Sequence, residues 1–85
     1  MDKTSEDLKK ETEKWLAKLE KERASLRVVS EMKEVPKAVK NMDAYIKDTR
    51  HFMEKGDLVR AFEAVIYAWG ILETLERLGL VEKER

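Results

Sequence analysis

The run KGDLVRAFEAVIYAWGIL, residues 55–72, decides the fold. Lys55-Gly56-Asp57 reads as the end of one helix and the start of the next. Glycine takes the left-handed conformation that closes a helix, and aspartate accepts from the first free backbone N–H groups of the helix that follows. A connection this short forces the two helices antiparallel. Beyond it, Leu58, Phe62, Val65, Trp69 and Leu72 recur every three or four residues and mark the centre of an apolar face. Ala61, Ala64, Ala68, Ile71 and Leu75 widen that face on one side, Val59 and Ile66 on the other. The apolar arc reaches roughly 200°, against the ~100° that suffices for a surface helix. This helix, about 57–78, is expected either at the centre of a bundle or partly against another chain. Gly79 should end it, with Leu80 folding back onto Leu75.

Upstream, a helix over about 36–55 follows from Val35, Ala38, Val39, Met42, Tyr45, Ile46, Thr49, Phe52 and Met53, which fill one face. Pro36 suits its first turn. A first helix, about 5–27, carries a thin seam of Leu8, Thr12, Trp15, Leu19 and Leu26 on a Lys/Glu background, with Thr4 or Ser5 as its cap. Between them, Val28-Val29 and the capping candidate Ser30 suggest a break, and residues 28–35 are expected to connect the helices, with room for one loose helical turn. The expected fold is all-α: one domain, a three-helix up-down-up bundle with a C-terminal antiparallel αα-hairpin.

Composition narrows the function. The 85 residues hold 18 basic and 18 acidic side chains, so no basic excess exists to engage nucleic acid in general or an anionic membrane. No DNA partner and no membrane association are expected. Without cysteine there is no disulfide framework and no thiolate for metal or catalysis. The charged N-terminal residues carry no signal-peptide pattern, and the uncharged run Ala64–Leu72 is too short to span a bilayer. These readings point to a cytoplasmic protein. Abundant Lys and Glu, no Gln and a single Asn (Asn41) follow the pattern described for hyperthermophile proteins.

No residue set suggests catalysis, a cofactor or a metal. His51 has neither a second histidine nor a Ser or Cys nucleophile in register, and reads as a surface residue. No Glu-x-x-His pair of the kind used by di-metal bundles occurs. Gly70 is the unusual residue, because a glycine inside a helix costs ~1 kcal/mol relative to alanine. Close approach of another backbone near Ala68 and Gly70 would explain it, the alternative being that Gly70 faces solvent and is simply tolerated. The expected interface is therefore Val59, Ile66, Ala68, Gly70 and Ile71, serving a homo-oligomer or a helical protein partner.

The order Tyr45…Asp48…Phe52…Gly56-Asp57…Ala61…Tyr67-Ala68…Gly70…Leu72…Gly79 resembles a family of small archaeal helical proteins of unknown function. The resemblance covers about residues 40–80. It departs at Thr49, where alanine is expected, and at Glu73, where aspartate is expected. It implies an archaeal origin, a short bundle and no assigned activity, and it marks Tyr45, Asp48, Tyr67 and Glu73 as polar positions. Such a cluster could pin the hairpin together, or could serve a ligand- or RNA-binding adaptor, the alternative to a self-associating module. The hairpin is also similar to one tetratricopeptide repeat at Phe52, Gly56-Asp57, Ala61 and Ala68. The closing proline is absent and no second copy follows, whereas solenoids need about three repeats. That likeness implies shared hairpin packing only.

Overall fold

The structure is a computed structural model and describes residues 3–84. It is mostly helical, with α1 (Lys3–Ala24), α2 (Glu34–Glu54) and α3 (Leu58–Arg77). Two short strands complete it: β1 (Leu26–Val28) after α1 and β2 (Val81–Lys83) after α3. The molecule measures 47 × 23 × 17 Å.

Both glycine endings form as expected. Gly56 has φ 75° and Gly79 φ 71°. At the end of α2, the Gly56 N–H donates to the Met53 carbonyl (3.1 Å) and the Asp57 N–H to that of Phe52 (2.9 Å). At the end of α3, Gly79 donates to Glu76 and Leu80 to Leu75, both at 3.0 Å. Each is a Schellman ending, which satisfies carbonyls the helix itself leaves free. The Asp57 carboxylate then accepts from the Arg60 N–H at 3.2 Å, so one residue closes α2 and opens α3. Asp57→Ala removes that cap. A loss of about 1 kcal/mol is expected by urea denaturation, and Asp57→Asn should recover most of it.

The core runs through all three helices and the ribbon. Leu19, Val35, Val39, Met42, Ile46, Val65, Ala68, Leu72, Leu75 and Val81 form its buried cluster. α3 lies at the centre, with α2 against one flank and α1 against the other. That position explains the breadth of its apolar arc. Of the expected centre line of the α3 face, Val65 and Leu72 are fully buried and Leu58, Phe62 and Trp69 half-buried, so buried Ala61, Ala64 and Ala68 shift the centre of that face toward themselves. Alanines allow the neighbouring backbone to approach closely. Two threonines are also fully buried, and each hydroxyl donates to the carbonyl four residues back: Thr12 to Leu8 and Thr49 to Tyr45, both 2.8 Å. Neither leaves a polar atom unpaired.

α1 docks through its aromatic residue. Trp15 and Trp69 meet edge to face, with ring centroids 5.7 Å apart at 85°, and the Trp69 indole N–H donates to the Trp15 carbonyl at 3.0 Å. α1 meets α2 through ion pairs. Arg23 grips Asp43 with two bonds (2.6 and 3.0 Å), and Arg50 reaches Glu20 at 3.0 Å. The Asp43 carboxylate hydrogen bond raises the Arg23 pKa further above its ordinary value.

The ribbon corrects the expected end of helix one. α1 stops at Ala24, and Leu26 is not its last seam residue but the first residue of β1. β1 and β2 pair antiparallel in the register Leu26↔Lys83, Arg27↔Glu82, Val28↔Val81. Residues directly opposite share a face of the sheet. Arg27 and Glu82 therefore pair on one face, while Val81 on the other is buried in the core. Lys83, on the same face as Val81, binds Glu22 of α1 and, at 3.3 Å, Glu76 of α3. Its hydrogen bond to Glu22 holds the ammonium pKa above the usual lysine value. The ribbon thus ties the end of α1 to the end of α3. Three smaller corrections follow. α1 already includes Thr4 and Ser5, the expected caps. α2 starts at Glu34, with Pro36 inside its first turn. Ser30 caps no helix, because its hydroxyl accepts from the Met32 N–H at 3.1 Å in the connecting loop.

Candidate functional site

The outer surface of the α2/α3 pair carries a chain of connected grooves. Ala38 of α2 and Ile66, Tyr67, Gly70, Ile71, Thr74 and Leu75 of α3 line the largest, an apolar hollow of about 480 Å³. It continues past Phe62, Glu63, Ile66 and Tyr67 into a smaller hollow of about 230 Å³ lined by Tyr45, Asp48, Phe52, Arg60, Glu63, Ala64 and Tyr67. Ile66 and Tyr67 belong to more than one groove and stay open, at 45% and 60% exposure.

Helical periodicity places these residues. At ~100° per residue, Val59, Glu63, Ile66, Gly70, Thr74 and Arg77 fall on one outward line. It lies opposite Ala61, Ala68, Leu72 and Leu75, which are buried. Tyr67 and Ile71 lie between the two and lean toward α2. There Tyr67 stacks on Tyr45, ring centroids 5.5 Å apart at 30°. Arg60, which also lines the smaller groove, sits over the Phe52 ring at 5.9 Å.

Tyr45, Asp48 and Tyr67 line one groove together. Glu73 is not part of that cluster. Six residues beyond Tyr67 it has turned away by roughly 120°, and it is exposed. Phe52, Arg60 and Glu63 take its place, and the spacing of Arg60 and Glu63 to Tyr67 (seven and four residues) could have signalled them.

The expected interface also divides. Val59, Ile66 and Gly70 are exposed and Ile71 is half-buried. Ala68 is fully buried inside the bundle, so it belongs to the internal packing and not to an outer surface. Gly70 needs a different explanation from close approach within the chain. A Cβ added there would meet nothing within 4 Å. The glycine leaves an open notch in the floor of the larger groove.

His51 is exposed, its ring against Phe52 at 5.6 Å. Among the described residues no group of three or more His, Cys, Asp or Glu could hold a metal ion, and no helix is long and apolar enough to cross a membrane. A second charged cleft, lined by Glu20, Arg23, Asp43 and Arg50, is occupied by the ion pairs that join α1 to α2.

Fold and surface together define a small three-helix protein, closed by a two-stranded ribbon and open along one apolar face. The chain belongs to the family described as protein of unknown function DUF357, whose match covers residues 12–81. The match begins at Thr12, the first buried residue of α1. The crystal structure of protein AF1782 from Archaeoglobus fulgidus, an archaeon, is assigned to the same family and is similar to this chain throughout. The two are 38% identical, superpose with a TM-score of 0.84, and share 95% of this chain and 99% of that one. No curated protein matches. The resemblance read from residues 45–79 therefore holds, and the family carries no established function.

Proposed function

We propose that this protein is a small interaction module that self-associates through the open face of α3, in a cytoplasmic setting, with its helices arranged up-down-up. The contacts along the bundle support the arrangement. Trp15 meets Trp69, and seven residues further along each helix Glu22 and Glu76 share Lys83, as parallel α1 and α3 require. Arg23 pairs with Asp43 and Glu20 with Arg50, the reversed order that an antiparallel α2 requires.

The observation that carries the self-association reading is the groove at Ala38, Ile66, Gly70 and Ile71. α3 has a neighbour on both flanks, yet Ile66, Tyr67 and Val59 stay exposed. Apolar surface gathered in a groove marks an interaction site more than scattered apolar residues do. The occupant best suited to it is a second copy. Balanced charge removes the long-range repulsion that keeps charged proteins apart, and no basic or acidic field selects an oppositely charged partner.

Absolute mass by light scattering, from micromolar to near-millimolar protein, tests this. A rise toward twice the chain mass is expected, and Ile66→Glu, which places a charge in the groove, should hold the protein at the monomer mass. A wild-type monomer at every concentration would overturn the reading.

A second reading, a ligand- or RNA-binding adaptor, is favoured by the convergence of Tyr45, Asp48 and Tyr67 around one groove. The carboxylates of Asp48 and Glu63 stand against it for RNA, because they repel phosphate beside the single Arg60. Saturable binding of labelled single-stranded RNA, weakened by Tyr67→Ala, would support this reading over the first.

A further inference from the structure

We propose that two copies meet antiparallel along α3, with the two-fold axis passing beside Gly70. This geometry rests on the self-association reading above and specifies its register. An isologous interface must be complementary to itself: whatever lies n residues before the axis meets what lies n residues after it on the other copy. The outward line of α3 satisfies that condition at Gly70.

At the axis, Gly70 presents its backbone, and apart from its chain neighbours and the adjoining α3 backbone nothing lies within 4 Å of where a Cβ would stand. A second Gly70 can come close there without a side chain from either copy intervening. Four residues away on either side stand Ile66 and Thr74, which would face each other. The Thr74 hydroxyl already donates to the Gly70 carbonyl at 2.8 Å, so its methyl can meet Ile66 without stranding a polar group. Seven residues away, two helical turns, stand Glu63 and Arg77. Both are exposed, and neither takes part in an ion pair among the described residues. In this register Glu63 of each copy faces Arg77 of the other, giving two symmetric ion pairs around an apolar centre. That is the arrangement of interfaces in general: apolar core, charged rim. A parallel pairing in register would instead set Glu63 against Glu63 and Arg77 against Arg77.

The chain contains no cysteine, so a single introduced thiol reports geometry without interference. Full-length Gly70→Cys, under mild oxidation, is expected to form a disulfide-linked dimer. Two thiols beside a two-fold axis lie within the Cα separation a disulfide spans, roughly 4.4–6.8 Å. Lys40→Cys, exposed on α2 away from the groove, should remain largely monomeric. Charge exchange supplies the second arm and leaves the glycine untouched. Glu63→Arg should weaken self-association about tenfold, because it creates two like-charge contacts. The double variant Glu63→Arg/Arg77→Glu should return close to wild type.

A wild-type dimer in which Gly70→Cys does not cross-link and the double variant is no stronger than Glu63→Arg would overturn this register while leaving self-association standing. A wild-type monomer at all concentrations would overturn both.

Discussion

Replacing Trp69 with alanine is expected to destabilise the protein by about 3 kcal/mol, the lower part of the range for removing a large aromatic from a packed site. The lower part applies because Trp69 is half-buried. Its weight comes from position: it is the aromatic contact between α1 and α3. The ring meets Trp15 edge to face at 5.7 Å, and its N–H reaches across to the Trp15 carbonyl at 3.0 Å. For a domain of this size each kcal/mol moves the melting temperature by about 4–8 °C, so a fall of roughly 12–24 °C should be seen by circular dichroism. Trp69→Phe separates the two contributions. It keeps a ring against Trp15 and loses only the hydrogen bond, a cost of about 1 kcal/mol. The Trp15 carbonyl lies within α1, so losing the indole donor should not leave it stranded. The change should also be visible optically. These are the two tryptophans of the chain, so in Trp69→Ala the emission of Trp15 alone reports whether α1 has come away, as a red shift. An unshifted spectrum with an unchanged melting temperature would mean that Leu19 and the ion pairs to α2 suffice to dock α1.

The helix endings were legible because their information is local. Gly56, Asp57 and Gly79 each act on backbone atoms within a few residues, and α2 shows a one-sided pattern over more than five turns. The ribbon was not, for the opposite reason. Its strands are three residues each, too short for alternation to register, and the pairing joins residues more than fifty positions apart. Leu26 misled because it sits seven residues after Leu19, the spacing of a helical seam. Val28-Val29 pointed to a break but not to its start at Ala24, and β-branched residues signal a strand only where a partner is in reach.

The site divides along the same line. Tyr45, Asp48 and Tyr67 line one groove because the short connection after α2 limits which faces of α2 and α3 can meet. Glu73 was grouped with them by the motif, against its angle on the helix. Ala68 and Gly70 fell on opposite sides of the inside–outside division for a related reason. On a helix apolar over most of its girth, periodicity shows that much must be covered without showing which part faces which neighbour. Only the placement of α1 and α2 on the two flanks of α3 leaves the line through Ile66 and Gly70 open.

The ribbon also bears load, and Val81→Asp should show how much. Val81 is 4% exposed and belongs to the same buried cluster as Leu72 and Leu75. A carboxylate there must either lose its water or pull β2 away from the helices, and burying an unpaired charge is among the few mechanisms that give single substitutions large effects. A loss of about 3 kcal/mol is expected, against about 1–2 kcal/mol for Val81→Ala, which removes only packing. Glu82→Ala, one residue on and facing outward, should stay within roughly 0.5 kcal/mol, because exposed ion pairs contribute little. The contrast between neighbours is the test, since alternation along a strand is what sends one inward and the other to water. A second readout locates the damage. If β2 detaches, Lys83 leaves both Glu22 and Glu76, and β1 loses its partner. The backbone N–H groups of Arg27 and Val29 should then exchange with solvent at least tenfold faster, while those at the centre of α3 keep their relative protection. Equal melting temperatures for Val81→Asp and Glu82→Ala would mean that the ribbon only decorates the bundle, and that the ends of α1 and α3 are held together without it.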